Sequence, residues 1–370
     1  AALLAGLSFE IYKLALGISL RICGYDDKQA ALLGEVLGVM VSPAFDERRF
    51  EDVRKDMIRG LRNSVAKRPS SQVIDDLREA LLYGEWGEQA LIEALQALDP
   101  EALNAFVAEF WQGAKAEALL YGNYQPGLVQ EVSTLLADVV SEDTPPALPD
   151  VKVLKLAAGD SLLYDVEVPH DDAVVAWYLQ GRGDSWEDRA ATLLTGQIMK
   201  SGFFQQLRTE QQLGYVVSAF AWPQRDVPGL VMLVQSPVAD APAILESMDT
   251  FMRGVSGDLD EDQFARHRAA LLSEIRRPDK NMWERAEFYW QSIAKKRWEF
   301  DGREALASAV EALSLSDWNA YFKTVFLDQR HSLQVISPGK RQKLPEGEDL
   351  QRFEDATAIK AGHAAYVIER

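Results

Sequence analysis

The stretch Leu207-Arg208-Thr209-Glu210-Gln211-Gln212-Leu213-Gly214-Tyr215 decides how this chain is read. Seven residues separate Arg208 from Tyr215, across a helix-to-strand turn placed at Gly214. Upstream lie three strand-like runs, Val151 to Leu156, Ser161 to Val168 and Ala173 to Gln180, and a helix from Trp186 to Ile198. Downstream, Tyr215 to Ala221 and Leu230 to Gln235 read as β-type runs. A helix then opens at Asp260, which with Gln263 forms a capping-box variant, and carries the apolar stripe Phe264, His267, Leu271, Ile275.

The same order recurs in the first half. Asp46 caps a helix with the stripe Phe50, Val53, Met57, Leu61, at the same steps of 3, 4 and 4 residues and an offset of 214. A second helix repeats at an offset of 215: Asp99 and Pro100 lead into Asn104-Ala105-Phe106, and Ser314 leads into Asn319-Ala320-Tyr321. A short apolar strand is expected after each, Ala118 to Tyr121 and Ser332 to Ile336. Phe9 to Leu14 and the alternating run Ile18 to Cys23 supply strands to the first copy. A constant register over two helices marks a duplication. The fold class expected is α+β, with two homologous domains, each an antiparallel-rich sheet with helices packed on one face. The boundaries expected are 1–140 and 151–340, a linker at 141–150 around the proline-rich Ser141 to Pro149, and a tail at 341–370. About 64 residues that precede Phe264 in the second copy lack a counterpart before Phe50, so the chain is expected to begin inside a domain. Such a domain would expose a sheet edge and apolar surface, and would either self-associate as a homo-oligomer or derive from a folded parent that supplied the missing strands.

Composition narrows the function classes. Hydrophobic residues make up 47% and charged residues 26% of 370, an ordinary globular balance. The net charge of −18 repels phosphate backbones, so nucleic acid is not an expected partner. No apolar run approaches the ~18 residues that span a membrane, so no membrane partner is expected either. Ala1 to Leu7 has no basic n-region or cleavage-site pattern and does not read as a signal peptide. Cys23 is the sole cysteine, which excludes an intramolecular disulfide and a thiolate metal cluster. None of His170, His267, His331 and His363 stands in an H-x-x-E-H frame, so no metal site is expected in this chain.

Three stretches together resemble the C-terminal half of the pitrilysin/insulysin metallopeptidases, the inverzincins. They are Ala5 to Phe9 with Gly24 to Gln29, Glu117 to Asn123, and Leu207 to Tyr215 with Gln235-Ser236 after it. The resemblance covers Ala5 to about Gly339. It implies a zinc-dependent oligopeptidase whose N-terminal half carries the zinc through H-x-x-E-H, with two halves closing around a peptide substrate. By that resemblance Arg208 and Tyr215 are auxiliary catalytic and substrate-binding residues near the scissile bond, and this chain alone is inactive. A phenol can donate to the oxyanion of an attacked carbonyl, and a guanidinium offers a rigid fork of donors. The location is left open between the bacterial periplasm, which the resemblance implies, and the cytoplasm. The competing class is a non-catalytic scaffold or binding subunit built from degenerate inverzincin domains.

Ordinary readings stand beside these. Arg208 could pair with Glu210, and Tyr215 could be a strand aromatic in the core. Trp283 and Trp290, seven apart on one helix face, read as core or interface packing. Arg276-Arg277 and Lys295-Lys296-Arg297 read as solvated helix faces, with contact to an acidic peptide as the alternative.

Overall fold

The computed structural model describes residues 6–43, 46–63, 67–140, 149–257 and 259–368. The first half contains β1 (Ser8–Leu14), β2 (Gly17–Cys23), α1 (Gln29–Val41), α2 (Glu47–Arg62), α3 (Pro69–Leu81), α4 (Glu88–Ala97), α5 (Pro100–Gln112) and α6 (Gly127–Ala137). There follow β3 (Val151–Lys155), β4 (Ser161–Asp165), β5 (Ala173–Gln180), α7 (Trp186–Phe203), β6 (Val216–Ala221), β7 (Gly229–Ser236), α8 (Ala241–Gly254), α9 (Glu261–Ile275) and α10 (Met282–Ala294). Last come α11 (Gly302–Ala312), α12 (Leu315–Phe322), β8 (Ser332–Ser337), β9 (Gln351–Phe353), α13 (Ala356–Gly362) and β10 (Ala364–Ile368).

The repeated helices form with the caps their sequences carry. Asp46 accepts from the backbone N–H groups of Arg48 and Arg49 at the start of α2. Asp260 and Gln263 close a reciprocal capping box on α9. Asp99 accepts from Ala102 N on α5, and Ser314 accepts from Asp317 N on α12. These four are local satisfactions of N–H groups that a helix start leaves unpaired.

The chain divides into two compact units that are not contiguous in sequence. Unit 1 comprises Ala1–Arg62, Glu88–Val151 and Asp279–Ala294, and unit 2 comprises Asn63–Gly87, Lys152–Pro278 and Lys295–Arg370. These units follow packing, and they interleave along the chain where the expected boundaries run consecutively. Helix α3 belongs with unit 2 because Val73, Leu77, Ala80 and Leu81, all fully buried, lie on that unit's sheet. The expected linker falls almost wholly outside the described residues.

Unit 2 holds a six-stranded sheet in the order β6-β7-β5-β8-β4-β9. Strands β6, β7, β5 and β8 pair antiparallel, while β4 runs parallel to both β8 and β9. Every residue of β5 and β7 is buried, as expected of central strands covered on both faces. On one face Val175, Trp177 and Leu179 meet Leu194 of α7, Met248 of α8, Phe264 of α9 and Trp318 of α12. On the other face Val174, Ala176 and Tyr178 meet α3 and, through Ala356 and Ile359, α13. Within the expected tail, β9 extends the sheet and β10 pairs with β3.

Among the described residues unit 1 has one β-hairpin, β1 with β2, in antiparallel register from Ser8 opposite Cys23 to Leu14 opposite Gly17. Phe9 and Ile11 on β1 remain exposed. Residues 118–121, expected as a strand, are irregular: no strand pairs with this run among the described residues, and Tyr121 instead packs its ring at 5.4 Å from Tyr289 of α10. Helix α10 buries Ser292 and Ile293 near its end. Trp283 is exposed, with the Arg21 guanidinium 4.3 Å from its ring centre.

Candidate functional site

Leu207 is fully buried in the unit 2 core and anchors the segment that begins the motif. Here α7 widens into a π-helical turn over Phe204–Glu210. Such turns displace side chains from the regular α positions. The chain then folds back, with Leu213 N donating to Leu207 O at 3.0 Å and Gln212 at a positive φ of 53°. Gly214 follows because nothing larger fits: a Cβ there would stand 2.0 Å from the backbone oxygen of Gln235. The hydroxyl of Ser236 donates to Leu213 O and accepts from Ala239 N, which fastens the turn to the end of β7.

Sheet register then brings three polar side chains together. Gln235 lies opposite Val216 of β6 on one side and Val174 of β5 on the other. Tyr215 precedes Val216, and Asp172 precedes Ala173 at the start of β5. The Tyr215 hydroxyl donates to Asp172 Oδ2 at 2.7 Å. The fully buried Gln235 amide donates to Asp172 Oδ2 at 3.0 Å and to the Tyr215 hydroxyl oxygen. Its carbonyl oxygen accepts from Ser70 N at 3.2 Å, one of the free N–H groups at the start of α3.

The loop that carries Asp172 is itself fixed. His170 Nδ1 accepts from Asp172 N at 3.0 Å, and Lys340 N donates to Asp171 O at 3.1 Å. Gly339, at a φ of 59°, lies so close that a Cβ would meet Asp171 O and Asp172 O at about 2.5 and 2.4 Å. Burial alone would raise the Asp172 carboxyl, but hydrogen bonds from Tyr215 and Gln235, with His170 and Lys340 nearby, hold it below the ordinary carboxylate value. Burial, together with the hydrogen bond and charge of Asp172, pushes the Tyr215 phenol above its ordinary value. The ring of Tyr215 is nonetheless 54% exposed, so it is not a core aromatic.

Arg208 stands apart from this network. It is half-buried, and among the described residues it has no hydrogen-bond or ion-pair partner. Glu210, the ordinary candidate, accepts from Gln205 Nε2 at 3.3 Å instead. The other basic clusters are paired. Arg276 bridges Glu304 and Glu311, while Lys295 and Arg297 hold Asp226 at 2.9 and 3.0 Å.

The network joins Tyr215 to Asp172, which no sequence motif marks, and to Gln235, which stands in a stretch that carries the resemblance. Asp171-Asp172 has the composition of a turn, which conceals a carboxylate only 7% exposed. Gln235 offered a signal: it is an amide in the otherwise apolar run Leu230 to Val234, where a buried polar group requires a partner.

Among the described residues no group of three or more His, Cys, Asp or Glu side chains could hold a metal ion. His331 and His267 are both lowered by burial, His170 serves the backbone of Asp172, and His363 Nδ1 lies 2.7 Å from Ile359 O. No helix is long and apolar enough to cross a membrane among the described residues.

Comparison with known proteins supplies a frame. Residues 1–94 match the family described as the middle or third domain of peptidase M16, and residues 194–290 match PQQ synthase PqqF-like, C-terminal lobe domain 4. The chain is 30% identical to the insulin-degrading enzyme of Homo sapiens over 354 residues, 90% of this chain and 34% of that protein. It is 25% identical to the insulin-degrading enzyme of Drosophila melanogaster over 90% of this chain and 35% of that one. The chain thus spans about a third of the length of these relatives. In fold it is similar to pitrilysin, with a TM-score of 0.90 at 18% identity over 100% of this chain and 40% of that one. It is also similar to a peptidase M16 inactive domain from Pseudomonas fluorescens, with a TM-score of 0.66 at 14% identity over 93% and 84% of the two chains.

Proposed function

Because this chain belongs to the insulinase/pitrilysin family, as C-terminal-half sequence of such a protein, we propose that it serves as the non-zinc half of a zinc-dependent oligopeptidase. Its partners in this reading are a peptide substrate and an N-terminal half that holds the zinc. Its location, by likeness to bacterial relatives, is the periplasm.

The observation that carries the reading is the state of Arg208. A half-buried guanidinium on an anchored segment, without a partner among the described residues, keeps its donors available to an incoming group. Two parallel N–H groups match the carbonyl oxygens of an extended peptide or a terminal carboxylate. Tyr215 supplies an exposed ring and one hydroxyl. That hydroxyl gives its hydrogen to Asp172 and accepts from Gln235, which leaves one lone pair for a substrate N–H. Turned from the carboxylate to an attacked carbonyl, the same hydroxyl would donate to the developing oxyanion.

The scaffold reading is favoured by one observation, the resting engagement of the Tyr215 hydrogen with Asp172. The two readings part in a simple assay. The chain alone, saturated with zinc, is expected to leave a fluorogenic peptide uncut, and to support cleavage once combined with the zinc-bearing half. Hydrolysis by the chain alone would refute the division of labour. No cleavage in the combined sample, with both halves folded, would favour the scaffold.

A further inference from the structure

We propose that Asp172 is a positioning residue for Tyr215, with Gln235 as the clamp that joins the two. The inference rests on the functional reading above and adds to it two side chains that the motif itself does not contain.

Three features of the geometry carry it. First, the pairing is charge-assisted and well formed, 2.7 Å from phenol oxygen to carboxylate oxygen. Second, it is not a surface accident. Asp172 is 7% exposed and Gln235 is fully buried; the Asp172 N–H is held by the His170 ring, and the Gln235 carbonyl by Ser70 N. Third, the buried Gln235 amide nitrogen donates to both partners, so moving either one costs that amide part of its hydrogen bonding. A ring that is otherwise more than half exposed would sample several rotamers in water. The tether selects one of them, and the fixed loop behind Asp172 makes that selection rigid. A group held in place before substrate arrives loses less freedom on binding.

The chemistry of the tether also sets its range of pH. The phenol remains protonated and the carboxylate ionised across the neutral range, which is the pair of states the hydrogen bond requires.

The test uses the chain combined with the zinc-bearing half, and a fluorogenic peptide. Asp172→Ala is expected to lower kcat about tenfold with little change in KM. In a Tyr215→Phe background it is expected to add nothing, because its effect passes through the phenol. Asp172→Asn, which keeps an acceptor, is expected to fall between parent and Asp172→Ala. In the chain alone, carbon-13 NMR of ring-labelled tyrosine should show Tyr215 titrating above ordinary tyrosines, and lower in Asp172→Ala. Equal losses from Asp172→Ala in the parent and in the Tyr215→Phe background would overturn the inference, since Asp172 would then act through general structure. So would full activity of Asp172→Ala beside a crippled Tyr215→Phe, which leaves the functional reading intact. If Tyr215→Phe is itself fully active, the functional reading of Tyr215 fails and takes the inference with it.

Discussion

Helices α2 and α9 carry one stripe in two settings. Each starts at an aspartate cap and places apolar residues at steps of 3, 4 and 4. In α9 the stripe is a core face, with Phe264 1% and Leu271 6% exposed. In α2 only Phe50 is buried, while Val53 and Met57 stand 50% and 52% exposed. The local code is the same, and what differs is the surface it meets. Unit 2 offers a six-stranded sheet, and unit 1 a two-stranded hairpin among the described residues. Amphipathic periodicity thus specifies which face of a helix is apolar, and tertiary neighbours decide whether that face gains any free energy.

The largest test of this contrast uses paired positions of the stripe. Leu271→Ala is expected to destabilise unit 2 by roughly 2–5 kcal/mol, the cost of a core cavity. The equivalent Met57→Ala is expected to cost no more than about 0.5 kcal/mol, as for an exposed side chain. Chemical denaturation of each variant would check both, and a loss at Met57 as large as that at Leu271 would break the contrast.

Glycines sharpen it. Gly214→Ala forces a Cβ against the Gln235 carbonyl and is expected to cost more than about 2 kcal/mol. Gly60 of α2 has nothing within 4 Å of its Cβ position, so Gly60→Ala is expected to stabilise by roughly 0.5–1 kcal/mol. Thermal melts that rank these two the other way would contradict the close approach at the motif. The caps, by contrast, are expected to respond alike in the two units. Asp46→Ala and Asp260→Ala should each cost about 1 kcal/mol, because each removes a bond made within its own first turn.

This pattern also explains what is legible in the sequence. The caps at Asp46, Asp99, Asp260 and Ser314 depend on neighbours three residues away, and β5 ends where its apolar run ends. The place of α3 in unit 2 is not legible, because periodicity cannot say which sheet a face will meet. The 118–121 run has strand composition but no strand beside it among the described residues, and composition alone does not make a ladder. Arg208 and Tyr215, the residues proposed for the site, can be named from the sequence because they share one short motif. Asp172 lies 43 residues from Tyr215 and joins it only through the register of β5, β7 and β6. A constraint set by strand pairing leaves no mark in local spacing.

The central claim is that the Arg208 guanidinium of unit 2 meets a peptide. Its most direct test is kcat/KM for a fluorogenic peptide with Arg208→Ala in the chain combined with the zinc-bearing half. A loss of at least about tenfold is predicted, since a charged donor to substrate is removed. An unchanged kcat/KM, in a variant as stable as the parent, would contradict the account.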